Sequence, residues 1–210
     1  MFRSPEGFGN HGENPIPYIE SPKFKQALQK LESVAGIGPQ HRVIILATAL
    51  DLKPAGEIDF RGTPEDKNEF TQVLSELGLF FCEDSERYES YKEYAEKGFS
   101  HYVIGNTPEN IGEALQASAA NDHHFGTAMG FPETAVHAYS RTWEESRDDL
   151  LIPINEYGGI LTKEEKAFTF FRLSKESYAK EIEWVEQLIA AVKKHSPELY
   201  RQVMASAAWW

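Results

Sequence analysis

Two stretches of this chain use the same device, and it limits the fold more than any other feature of the sequence. Glu57-Ile58-Asp59-Phe60 leads into Arg61-Gly62-Thr63-Pro64-Glu65-Asp66, and His101-Tyr102-Val103-Ile104 leads into Gly105-Asn106-Thr107-Pro108-Glu109-Asn110. In each, a short strand-like run meets a glycine. A threonine then stands where a helix N-cap belongs, a proline takes the first helical position, and a carboxylate follows at the electropositive helix end. Leu79-Phe80-Phe81-Cys82 reads as another strand, and 167–173 (Ala-Phe-Thr-Phe-Phe-Arg-Leu) as a fourth, rich in residues that suit a pleated surface. Strands alternating with helices predict an α/β fold: a small, at least partly parallel sheet of about four strands, with right-handed crossovers, flanked by helices. The C-terminal third reads as helical.

Phe24, Leu28 and Leu31 share one stripe and predict a helix over about 22–34, broken by Gly36-Ile37-Gly38-Pro39. A nearly all-apolar helix follows over about 40–51; a buried strand over 43–50 is the alternative, and the length with Ala47 and Ala49 favours helix. Phe70, Val73, Leu74 and Leu77 form the apolar face of the helix begun at Thr63, and Gly78 stops it. A Tyr-rich helix (Tyr88, Tyr91, Tyr94) runs from Asp84 or Ser85 to about Lys97, and further helices fall around 109–120, 122–129 and 132–147. Pro153, Gly158 and Gly159 mark a loop. Ser174 caps a long helix with Ile182, Val185, Leu188, Ile189 and Val192 inside, and Ser196-Pro197-Glu198 starts the last one. Residues 1–22, with three glycines and four prolines, read as an N-terminal arm, and 23–210 as a single α/β domain onto which Trp209-Trp210 pack back.

Hydrophobic residues make up 41% of the chain and charged ones 26%, the balance of a soluble globular protein rather than a disordered one. No apolar run approaches the ~20 residues that span a bilayer, and residues 1–7 hold no apolar signal region. The one cysteine, Cys82, has no internal disulfide partner, which predicts a reducing, cytoplasmic setting. Beside Glu83 and Asp84 its thiolate is disfavoured, so it does not read as a nucleophile. The net charge of −12 repels phosphate backbones and anionic lipid, although 23–53 is locally basic, with five cations against Glu32 and Asp51. Nothing matches a P-loop, a nucleophile elbow, a zinc Cys-x-x-Cys pair or a dinucleotide fingerprint. These features favour a cytoplasmic binding module for a small molecule or a protein partner, with no membrane and with nucleic acid disfavoured but kept as an alternative through the turn at 31–45, and leave catalysis undecided.

Two groups of residues carry the remaining chemistry. Asp122-His123-His124 precedes Glu133 and His137, which stand four apart and so share a helical face. Imidazole and carboxylate at that spacing suit a divalent metal such as Zn²⁺, ligated by His124, Glu133 and His137 with His123 and Asp122 in support. This is the reading of the chain as a metal-dependent enzyme. If the strands before the two Thr-Pro turns are parallel, Gly62, Thr63, Asn106 and Thr107 lie together at strand carboxyl ends and line an anion site. The bland readings are a helix-start carboxylate with surface histidines, and two well-made helix caps.

Residues 31–45, with Gly36-Ile37-Gly38-Pro39 at their centre, resemble the hairpin of helix-hairpin-helix DNA-binding motifs. The resemblance implies backbone N–H groups presented to a phosphate. It departs at Arg42, where a small residue packs the two helices in that family. Met129-Gly130-Phe131-Pro132-Glu133-Thr134-Ala135-Val136-His137-Ala138-Tyr139 resembles a Gly-aromatic-Pro-x-Cys-Cys-Val-x-x-aromatic segment of archaeal and bacterial domains of unknown function, and the C-terminal third fits their pattern. The paired cysteines of those domains would fall at Thr134 and Ala135, so any thiol chemistry there is absent.

Overall fold

A computed structural model describes Ile19 and residues 21–84, 98–120 and 122–206. Most of the arm expected over 1–22, the Tyr-rich helix and Trp209-Trp210 lie outside the described residues. The contacts divide the chain into two compact units, 1–115 and 116–210, where the sequence reading draws one domain over 23–210.

The first unit begins with α1, Pro22–Leu31, whose N-terminus is closed by Ser21: its hydroxyl accepts from the Phe24 amide at 3.1 Å. Phe24, Ala27, Leu28 and Leu31 are its buried face. Helix α2, Pro39–Ala49, is a helix as its alanines predict, and its residues from Val43 to Ala49 are buried except half-buried Ile44. A helix enclosed nearly all round has no polar face, which is why its sequence shows so little helical period. The strand β1 is Ala55–Arg61, and α3, Pro64–Glu76, follows a full capping box: Thr63 Oγ1 accepts from the Asp66 amide at 3.2 Å while Asp66 accepts from the Thr63 amide at 2.9 Å. Strands β2, Phe80–Glu83, and β3, Phe99–Gly105, complete a three-stranded sheet of order β1-β3-β2. Phe60, Phe70 and Tyr102 form its aromatic core, with Phe60 and Phe70 stacked at 5.2 Å between ring centres.

The expected partly parallel, four-stranded sheet is not what forms. Both outer strands run antiparallel to β3, with Ala55 opposite Gly105, Arg61 opposite Phe99, and Phe80 also opposite Gly105. The outer strands are therefore parallel to each other, as a β1-α3-β2 crossover requires, but β3 lies between them. Its run from Ser100 to Gly105 is buried throughout, which suits a central strand paired on both edges. A strand buried on both faces shows no alternation that would set its direction, so the sequence pattern carries no information on this point.

Helix α4, Pro108–Ala120, carries the chain from the first unit into the second. The second unit is helical: α5 Asp122–Ala128, α6 Glu133–Ser140, single turns α7 Arg147–Leu150 and α8 Tyr157–Ile160, then α9 Lys163–Phe168, α10 Tyr178–His195 and α11 Pro197–Ser206. The strand expected over 167–173 is absent. Thr162 and Glu165 make a capping box that starts α9, and the helix takes Ala167 and Phe168 with it. Beyond it the chain forms one antiparallel bridge, Leu151 with Ser174, flanked by Ile152 N–H to the Leu173 carbonyl at 3.0 Å. The helix expected over 132–147 ends at Ser140 and passes into a 3₁₀ turn, Arg141–Trp143.

Candidate functional site

The local sequence of α5, α6 and the turn between them builds a hollow. Gly130 takes the left-handed conformation (φ 69°) after α5. The Phe131 amide donates to the Gly126 carbonyl at 3.1 Å and the Gly130 amide to Thr127 at 2.9 Å, a Schellman closure that only glycine enters without strain. This closure turns Phe131 back toward α5, and Pro132 starts α6. The two helices approach closely because position 126 lacks a side chain: a Cβ there would lie 2.7 Å from Val136.

The irregular segment 169–173, which bends at Phe171, shares the lining of this hollow. It is fixed by Glu181 of α10, a fully buried carboxylate that accepts from the Ser174 amide at 2.8 Å, the Ser174 hydroxyl at 2.6 Å and the Thr134 hydroxyl of α6 at 2.7 Å. Tyr157 adds a bond from its hydroxyl oxygen, which accepts from the Leu173 amide at 2.9 Å. The result is a cavity of about 270 Å³ whose walls are Phe125, Phe131, Tyr139, Phe170 and Phe171, floored by Gly126, Ala135 and Val136. Phe131 lies against Phe171 at 5.8 Å, and Trp184 buttresses Phe171 edge-on at 5.6 Å. Two charged residues, Asp122 and Arg172, share the lining. The Arg172 Nη2 donates to the Ile152 carbonyl at 3.4 Å, while its Nε is buried and meets no acceptor among the described residues.

The metal set expected from the sequence is dispersed. His123, Glu133 and His137 line a separate hollow of about 240 Å³, shared with Arg141, Asp149 and Glu176. Asp122 faces the aromatic cavity instead, and His124 lines neither. The rings of His123 and His124 meet edge to face at 5.9 Å and do not converge on a point. Among the described residues no three His, Cys, Asp or Glu side chains are grouped to hold a metal ion.

The four residues of the expected anion site are not brought together. Because β1 and β3 are antiparallel, Gly62-Thr63 and Asn106-Thr107 fall at opposite ends of the sheet, about 20 Å apart at the rise of a seven-residue strand. The cap at Thr107 is made, its hydroxyl accepting from the Asn110 amide at 3.2 Å. Asn106 is occupied in a side-chain chain from Asn110 to Asp51. The Gly-Ile-Gly-Pro turn faces its own sheet: the Gly36 carbonyl accepts from the Arg61 amide at 2.8 Å, and Gly36, at φ 85°, is closed over by Phe60. Arg42 reaches back to the Val34 carbonyl at 2.8 Å.

Sequence reasoning missed an ionic cluster on the sheet. His101, 4% exposed, places Nδ1 3.0 Å from Asp59, directly opposite it in the ladder, and Nε2 3.5 Å from Glu57. Burial pulls its pKa down, but hydrogen bonds to Asp59 and Glu57 and their charges override this and raise it to about 9. Burial lowers Lys53 to about 8 against the attraction of Glu57, and lowers His41 despite Asp59. Finding the cluster requires the register that pairs Asp59 with His101. Cys82 is half-buried, and burial, then Asp84 and Glu83, push its thiol up, as its acidic neighbours predict.

No helix among the described residues is long and apolar enough to cross a membrane. No family model, curated protein or solved structure matches the chain.

Proposed function

We propose that this chain is a small-molecule binding module whose site is the aromatic cavity of the second unit. The observation that carries this reading is a concave space of about 270 Å³ lined by five aromatic side chains together with Asp122 and Arg172. Apolar walls with a few convergent polar groups are the ordinary composition of a ligand pocket. The raised thiol of Cys82 weighs against thiol catalysis, and the net charge of −12 weighs against nucleic acid and anionic membranes as partners.

The test uses benzyl alcohol as a neutral probe, detected by ligand-observed NMR. Saturable binding is expected in the native chain and not in Ala135→Leu, which fills the floor, nor in Tyr139→Ala, which removes a wall. Absence of saturable binding to the native chain, or binding indifferent to both substitutions in folded protein, overturns the reading.

A further inference from the structure

The composition of the cavity lining narrows the ligand class. We infer that the cavity takes an uncharged planar aromatic molecule and binds anions and cations of the same shape more weakly. This rests on the reading of the cavity as a ligand site.

The aromatic part follows from the walls. Five of the lining side chains are rings, contributed by α5, by α6 and the turn before it, and by 170–171. Phe131 and Phe171 are already in contact, 5.8 Å apart with planes tilted by 36°, and Trp184 buttresses Phe171 edge-on. No ring inserts between such a pair. A ligand ring packs against it instead, in the offset or edge-on contacts that aromatic groups prefer. A dry cavity of roughly 150 Å³ holds benzene, so about 270 Å³ accommodates one substituted ring.

The charge follows from the two ionic residues of the lining. Asp122 and Arg172 are both half-buried and opposite in sign, and the rest of the lining is uncharged. An ion of either sign that leaves water for this space gives up hydration. It meets one attraction and one like-charge repulsion in return, so its desolvation is not offset. The π systems favour a cation, and the guanidinium opposes it. A neutral ring gives up little hydration and keeps every dispersion and ring contact.

Benzamide, benzoate and benzamidinium share one planar shape and differ in charge, so calorimetric titration of the native chain at neutral pH separates the three cases. Benzamide is expected to bind at least about fivefold more tightly than either ion, and about threefold more tightly than cyclohexanecarboxamide, which lacks the ring contacts. Removing one charge of the lining should tip the balance. Asp122→Asn is expected to raise the affinity for benzoate relative to benzamide at least about fivefold, and Arg172→Gln to do the same for benzamidinium. The comparison on the native chain needs no variant. Benzoate or benzamidinium matching benzamide there, cyclohexanecarboxamide matching it, or a selectivity that either substitution leaves unmoved in folded protein overturns the neutral aromatic assignment and leaves the cavity reading standing. If none of the four probes binds saturably, the cavity reading itself falls.

Discussion

Between pH 6.5 and 8 the first unit should lose about 2 kcal/mol of stability, and the loss should come from one histidine. The pKa of His101 rises from its ordinary 6.5 to about 9 in the fold. A base that holds its proton more tightly when folded contributes fully below the lower value and loses that contribution as pH climbs to the higher one. One and a half pH units at about 1.4 kcal/mol each give the magnitude. Lys53 acts in the opposite sense: its pKa falls from 10.5 to about 8, so its buried ammonium is a burden below 8 that is relieved as pH rises beyond it. From about 8 to 9 the two slopes cancel and the curve levels. His41, lowered from 6.5, acts only below the window, while the raised Cys82 and Tyr102 act only above it. The assay is amide hydrogen exchange of β3, corrected for intrinsic exchange at each pH, so that the first unit is reported by itself. Glu57→Gln with Asp59→Asn should flatten the decline. A native curve that is level or rising between 6.5 and 8, or a decline that survives the double substitution, refutes the charge clamp.

Thr63→Ala and Thr107→Ala should each lower stability by about 1 kcal/mol in urea unfolding, since each hydroxyl accepts an otherwise orphaned helix-end amide; no change in either would show the cap to be idle. Glu181→Leu should cost about 3 kcal/mol, because it strands two buried Ser174 donors and removes the acceptor of the half-buried Thr134 hydroxyl. A shift below 1 kcal/mol in calorimetric unfolding would show that water reaches them. Duplex DNA should not be retained in a salt-sensitive way near physiological ionic strength, because the net charge is −12 and Gly36 is turned onto Phe60. Retention that falls steeply with salt and disappears in Gly38→Glu would restore the hairpin reading.

Much of the local structure was legible because it rests on short-range chemistry. Thr63-Pro64 and Thr107-Pro108 announce helices through cap and proline geometry, and both helices start there. Gly36 and Gly78 take positive φ, as the breaker and stop signals in the sequence lead one to expect. What failed was non-local. The direction of β3 depends on which neighbour it pairs with, and no residue of β3 records that choice. The run 167–173 carries strand-forming residues, yet Thr162 and Glu165 cap a helix into its first two positions, and only one bridge forms beyond. The same misreading hid the candidate site, since Phe170, Phe171 and Arg172 were expected to face a sheet and instead face a cavity. The histidines near 122–137 stood out by density alone. Adjacent positions on a helix point about 100° apart, and that divergence separates Asp122 from His123. The Glu57–His101–Asp59 cluster needed the strand register before it could be seen at all.

The central claim is that the aromatic cavity of the second unit is a ligand site, and a crystal structure of the protein soaked with benzyl alcohol tests it most directly. The account predicts one molecule in the space walled by Phe125, Phe131, Tyr139 and Phe171, its ring in van der Waals contact with Phe131 and Phe171. An empty cavity at saturating benzyl alcohol, or a molecule bound only elsewhere on the protein, contradicts it.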